Sequence, residues 1–199
     1  MKKTVFIKSY QIFTMILKIS FALMIFSIVS KLFAVTFEIS SFTSLRHFSM
    51  YVNLANDVSV AILFILAISL SSISLYLIVH RYKNDQIRNL MRSIDETWEL
   101  HHFLKHNEST PIIPTAIQQV NKSNKVTREF NRSAKRSIVD VQNDTVTIYI
   151  QIPRSQQAQR ILQEMNSQLK EQLSNRMPDY YFSNGTREKN ILWIEGKKR

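Results

Sequence analysis

Cysteine is absent from the chain, and with it go disulfides, thiolate metal sites and a cysteine nucleophile. Gly185 and Gly196 are the only glycines, too few for a phosphate-cradling loop of the GxxxxGK(S/T) or GxGxxG type, which excludes ATPase, kinase and dinucleotide chemistry. Acidic residues are scarce, 15 against 26 lysines and arginines. Those present form no pattern of use to catalysis, because Asp140, Asp144, Asp179 and Glu195 fall at strand ends or turns, where carboxylates are ordinary. His102 and His106 stand at i and i+4 beside His101, but no carboxylate or third histidine completes an HExxH pattern. An enzyme, a cofactor, a metal and a small-molecule substrate are therefore not expected.

Charge is also missing from one long run. Val58 to Val79 holds 22 residues without a charged side chain, enough at about 1.5 Å per residue to cross a roughly 30 Å hydrocarbon layer. A second apolar run precedes it, through Phe37, led by Lys2, Lys3 and Lys8. It is longer than the core of a secretory signal, so an uncleaved first helix is the expectation. Lys18 and Lys31 lie within that run, placed to reach opposite interfaces. Glu38 to Asp57 reads as a short external loop, and Ala67, Ser71 and Ser74 as a packing surface for the first helix. Bases flank the pair on one side, Lys2, Lys3 and Lys8 before it and the juxtamembrane anchors Arg81, Lys83, Arg88 and Arg92 after it. The positive-inside rule then gives a multi-pass protein of the cell membrane with both termini cytoplasmic. The expected organisation is a transmembrane hairpin over 1–80, with helices at about 11–37 and 58–79. A juxtamembrane helix follows over 81–106, then a linker over 107–115 where Pro111 and Pro114 forbid helix, then a basic segment and small domain over 116–199.

In the juxtamembrane stretch Ile87, Leu90, Met91, Ile94 and Trp98 recur at helical spacing, so that face needs a partner: a coiled coil, the soluble domain or the membrane surface. Residues 116–136 contribute +5 of the formal net charge of +11, with Lys122, Lys125, Arg128, Arg132, Lys135 and Arg136 set against Glu129 alone. Such a block is a solvated face, a contact for anionic lipid, or a contact for nucleic-acid phosphates. Beyond it, SIVDV and TVTIYIQIP suggest a hairpin in which Val146, Ile148, Ile150 and Ile152 face a core. Ser155 caps a helix striped by Ala158, Leu162, Met165, Leu169 and Leu173, ending at Met177-Pro178. DYYFS and KNILWIEG form a second hairpin about Asn184-Gly185. The fold class is an α+β membrane protein with two transmembrane helices, a juxtamembrane amphipathic helix and a C-terminal ββαββ two-layer domain. The outer sheet face is expected to show Tyr149 and polar residues to water or a partner. Tyr149, Tyr180 and Tyr181 are placed to stack on bases, although strand packing is the plainer role. Five Asn-x-Ser/Thr triplets, at Asn107, Asn121, Asn131, Asn143 and Asn184, lie on the expected cytoplasmic side and read as coincidental.

Two membrane helices near the N-terminus, a basic juxtamembrane helix and the strand pair SIVDVQNDTVTIYIQIP resemble the front end of FtsK-type conjugative coupling proteins. The nucleotide-binding loop of that family has no counterpart here. The resemblance thus implies an accessory or scaffold protein of a bacterial membrane complex such as DNA transfer, docking a protein partner, a second copy or nucleic acid, and it carries over no site residue. The alternative is an immunity, exclusion or sensory protein acting through its transmembrane hairpin and external loop.

Overall fold

The computed structural model describes residues 4–39, 43–105 and 117–199, with the backbone alone at 43–46 and 117–123. The linker expected over 107–115 and His106 lie outside the described residues. The chain divides into two compact units: Lys8–Val79 is one, and His80–Arg199 with the residues ahead of Lys8 is the other.

The first unit is built from two helices, α1 (Val5–Ile39) and α2 (Thr43–Asn84), the last residues of α2 belonging to the second unit. Both are long and apolar enough to cross a membrane, and almost none of their most apolar stretches is buried within the protein. α2 begins well before the expected 58, so most of the external loop foreseen over 38–57 is helical instead. That stretch has neither proline nor glycine to stop a helix, and its Ser49, Asn53 and Asn56 repeat at helical spacing. The contacts they make are polar: Ser27 Oγ donates to Asn56 Oδ1 at 2.8 Å, and Lys31 Nζ donates to Asn53 Oδ1 at 3.3 Å. Along α1 the less exposed positions, Phe13, Ile16, Ser20, Leu23, Ser27, Ser30 and Ala34, recur at three- and four-residue steps, with small residues crowded toward its end, as close helix pairing requires. Ala67 and Ser71 are on the exposed side, not on this seam. Ser71 and Ser74 donate to the carbonyls of Ala67 and Leu70, which satisfies each hydroxyl inside its own helix.

The second unit begins where α2 stops. A break at Asp85–Gln86 separates it from α3 (Ile87–Leu104), so the juxtamembrane helix expected over 81–106 is not continuous. No proline or glycine marks this break. Its cause is tertiary: Asp85 Oδ1 accepts from the backbone N–H of Asn143 at 3.2 Å and from Asn89 Nδ2 at 2.7 Å. α4 (Ile117–Ala134) leads into β1 (Ile138–Val141) and β2 (Thr145–Gln151), followed by α5 (Gln156–Glu164), α6 (Asn166–Arg176), β3 (Tyr180–Phe182), β4 (Thr186–Glu188) and β5 (Ile191–Lys198). The sheet is antiparallel with order β1-β2-β5-β3, and β4 pairs with the same edge of β5 as β3 does. The expected ββαββ order is met in outline only: the domain runs ββααβββ, with β4 an additional strand between the two of the expected second hairpin. The helix after Ser155 is divided at Met165. The second hairpin turns at Lys189–Asn190, where Lys189 has φ 56°, and not at Asn184-Gly185.

Asn184-Gly185 lies instead inside the edge. Phe182 pairs with Gly196 and Thr186 with Trp193, so Ser183, Asn184 and Gly185 stand opposite only Ile194 and Glu195. This extra residue is a bulge. A Cβ on Gly185 would come within 2.7 Å of Leu192 Cδ1, the end of a side chain that would have to turn aside to admit it.

Val146, Ile148, Ile150 and Ile152 are buried as the alternation requires, against Phe130 and Ala134 of α4, Ala158 and Leu162 of α5, and Leu169 and Leu173 of α6. The other sheet face departs from expectation. Ile138, Tyr149 and Trp193, partners in register across three strands, are each at most 3% exposed, with the two rings edge to face at 5.4 Å.

At its β1 edge the sheet meets α3. Four helix residues advance about 6 Å and two strand residues about 6.6 Å, so every fourth residue of α3 can address every second residue of β1. Ser93 Oγ accepts from the Val141 N–H at 2.9 Å and Thr97 Oγ1 from the Val139 N–H at 3.0 Å. Each hydroxyl spends its own proton one turn back, on the carbonyls of Asn89 and Ser93. Asn89 Nδ2 donates to Asn143 Oδ1 and His101 Nε2 to the Ser137 carbonyl, extending the ladder at both ends. Replacing Thr97 by valine keeps the volume but leaves the buried Val139 N–H without an acceptor. The full chain in detergent should lose about 1–3 kcal/mol in urea unfolding followed by near-UV circular dichroism, while Ser71→Ala on the exposed side of α2 should stay within about 0.5 kcal/mol of the parent.

Candidate functional site

α4 is amphipathic for a structural reason. Phe130 and Ala134 are buried and Val126 packs against the same core, fixing one side of the helix inward. The basic residues then fall on the opposite side: Lys125, Arg128 and Arg132 follow one another at three- and four-residue steps, and Lys135 and Arg136 continue in the turn. All five are exposed, while the side chain of Lys122 lies outside the described residues. The block's one acid is withdrawn from them. Glu129 Oε1 accepts the backbone N–H groups of Arg154 at 2.9 Å and Ser155 at 2.8 Å. Ser155 caps α5 as expected, its hydroxyl accepting from Ala158 N. The Ser155 N–H, more than any other group, holds the Glu129 carboxyl below its ordinary value of 4.5.

The juxtamembrane bases separate into three situations. Arg81 departs from the role of surface anchor. It is 4% exposed, ion-paired to Asp85 and Asp140, and donates through Nη1 to the Val141 carbonyl at 3.0 Å. The Phe6 ring lies 5.4 Å from its guanidinium carbon. Such a buried triad is costly to break from one side, because it strands a desolvated charge. Lys83 and Arg88 are exposed. Arg92 is half-buried, its guanidinium 6.0 Å from the centre of the Tyr180 ring, where burial pushes the Tyr180 hydroxyl above the usual tyrosine value. Arg88 and Arg92 join Asn143, Asp95, Asp179, Tyr180 and Lys198 around a cleft of about 680 Å³ at the start of α3.

Glu96 and Glu99 of α3 turn away from this cleft, toward Arg176. Arg176 of α6 binds Glu96 at 2.9 Å, Glu99 at 3.1 Å and Asp95 at 4.0 Å, and the Glu96 hydrogen bond above all raises the Arg176 pKa. Of the histidines, His101 is committed to the β1 edge and His102 stacks on Trp98 at 4.3 Å. Among the described residues no group of three or more potential ligands is placed to hold a metal. Tyr149 and Tyr180 are buried, leaving Tyr181, 69% exposed, as the tyrosine of the three open to stacking. The Arg81 triad is what residue patterns missed. The signal was Asp140 itself, an aspartate inside the apolar strand SIVDV. No family model, curated protein or solved structure matches the chain.

Because the folded-state pKa of Glu129 is depressed, its contribution to stability is full above the unfolded value and fades as pH falls through the folded one. Glu129→Gln should therefore destabilise the domain at neutral pH, and the gap to the parent should close on acidification below about pH 4.5. Urea midpoints measured along a pH series would read this directly; a gap that stays constant with pH would assign the capping role to another group.

Proposed function

We propose that the chain is a two-pass membrane protein with both termini in the cytoplasm, whose C-terminal domain is a non-enzymatic binding module for a polyanion, with nucleic acid as the polyanion. The observation that carries this reading is the exposed basic row on α4, Lys125, Arg128, Arg132, Lys135 and Arg136, with Glu129 turned to a backbone contact that removes its carboxylate from competition. A row of this kind meets phosphates and reads no sequence, as expected of a module that holds DNA near a membrane complex. The resemblance to coupling proteins of DNA transfer favours the same ligand. The two apolar helices support membrane insertion, since their apolar surface is left almost wholly uncovered by the protein.

A second reading has an observation of its own. In the hairpin, Ser27, Lys31, Thr36 and Asn56 bring polar groups to a groove of about 660 Å³ otherwise lined by Ile28, Leu32, Val35 and Ile39. Polar groups in an apolar helix pair are a functional signal, and they favour an immunity, exclusion or sensory role exercised through the hairpin.

The full chain in nanodiscs of neutral lipid, titrated with duplex DNA over a salt series, separates the two. DNA affinity should fall steeply with salt, and reversing Arg128, Arg132 and Arg136 to glutamate should flatten the slope by about 0.9 for each phosphate no longer neutralised, without impairing insertion. Absence of binding at low salt, or an unchanged slope in the triple variant, would turn attention to Lys31 and Asn56.

A further inference from the structure

α3 is packed the opposite way from an ordinary amphipathic helix. The side held against the protein carries Asn89, Ser93, Thr97 and His101, which serve the β1 edge, with Leu90, Leu100 and Leu104 between them. The stripe left outside is Ile87, Met91, Ile94 and Trp98, at steps of four, three and four. These side chains are 41%, 65%, 44% and 59% exposed. Among the described residues neither the sheet nor the other helices of the unit cover this stripe, and its regular spacing distinguishes it from scattered surface apolar residues.

We propose that this stripe docks on the surface of the membrane that α1 and α2 cross, with α3 lying in the interface among anionic headgroups. The inference rests on the membrane reading given above. Its occupant follows from three features. The first is continuity of chain: Ile87 comes eight residues after Val79, the end of the uncharged run, and the helix is interrupted between them at Asp85–Gln86. The second is side-chain chemistry. Trp98 offers an apolar ring with a polar edge, the combination that settles at headgroup level. The third is charge. Lys83 and Arg88 are exposed, and Arg92 is held over Tyr180 beside the stripe, while Glu96 and Glu99 are drawn to Arg176. Asp95, its side chain 73% exposed beside Ile94 and 4.0 Å from Arg176, is the acid of α3 left outside, and Lys83, Arg88 and Arg92 outnumber it along the stripe, the pattern of an interfacial helix on anionic lipid. A second copy of the chain is the weaker occupant, because four stripe positions fall short of the three to four heptads that a coiled coil sustains.

With no cysteine in the chain, single labels report cleanly. Met91→Cys and, separately, Ile94→Cys carry a nitroxide in the full chain reconstituted into nanodiscs of phosphatidylcholine with phosphatidylglycerol. Ile68→Cys, on the exposed side of α2, is the lipid reference, and Glu164→Cys on α5 the aqueous one. Collision with oxygen against a water-soluble nickel complex should place labels 91 and 94 with label 68, and exchange of phosphatidylglycerol for neutral lipid should shift them toward the aqueous value. If label 68 reads lipid while 91 and 94 read water, the docking is wrong and the membrane reading survives. Dipolar broadening between labels at 91 in discs holding two copies would assign the stripe to self-association and overturn the proposal. An aqueous reading at 68 would remove the membrane reading, and the docking with it.

Discussion

A β-sheet edge has donors that must be satisfied or left to water, and the C-terminal domain is arranged around one solution to that constraint. α3 stands beside β1 where a further strand would stand, and presents hydroxyls, an amide and an imidazole at the spacing of the strand's outward groups. Because the match is between four helix residues and two strand residues, it holds over three turns only if the helix runs straight along the strand. Serine and threonine suit the task, since each hydroxyl accepts from the strand while donating to its own helix. The arrangement fixes the register and rotation of α3, and so decides which of its residues remain outside.

The same edge explains the buried charges. Arg81 reaches the Val141 carbonyl and closes on Asp85 and Asp140, while Asp85 takes the Asn143 N–H at the next turn of the chain. The end of α2, the break and the start of α3 are thus tied to one hairpin. On the far side, Glu129 ties α4 to the start of α5 and Arg176 ties α6 to α3. Polar contacts hold the helices in order around an apolar centre supplied by β2.

Where the partner of an element is apolar, its residues disclosed the structure. The alternation from Val146 to Ile152, the stripe along α5 and α6 and the two long apolar helices all follow from apolar patterning, and all are present. Where the partner is polar, the same logic misleads. The apolar recurrence of Ile87, Leu90, Met91, Ile94 and Trp98 left the partner of α3 open among a coiled coil, the soluble domain and the membrane surface; of the five only Leu90 is buried, because a strand edge needs donors and acceptors and the helix turned its polar side inward. The break at Asp85–Gln86 carries no proline or glycine, because hydrogen bonds from residues more than fifty positions later impose it. Asn184-Gly185 has the composition of a turn, but the pair sits in the bulge opposite Ile194 and Glu195, and the reversal falls at Lys189. Of the basic site, the exposed row on α4 was legible from spacing, whereas the burial of Arg81 required knowing where Asp140 would lie.

With β1 shielded by α3, the sheet's other border is β3 and β4, and the extra residue at Ser183–Gly185 divides it into two three-residue pieces out of phase with each other. A continuous row of unpaired amides on a sheet border invites strand-to-strand growth between copies. A border interrupted every three residues gives such growth no template longer than a single hydrogen-bonded pair or two, so neighbouring copies can crowd without their sheets merging.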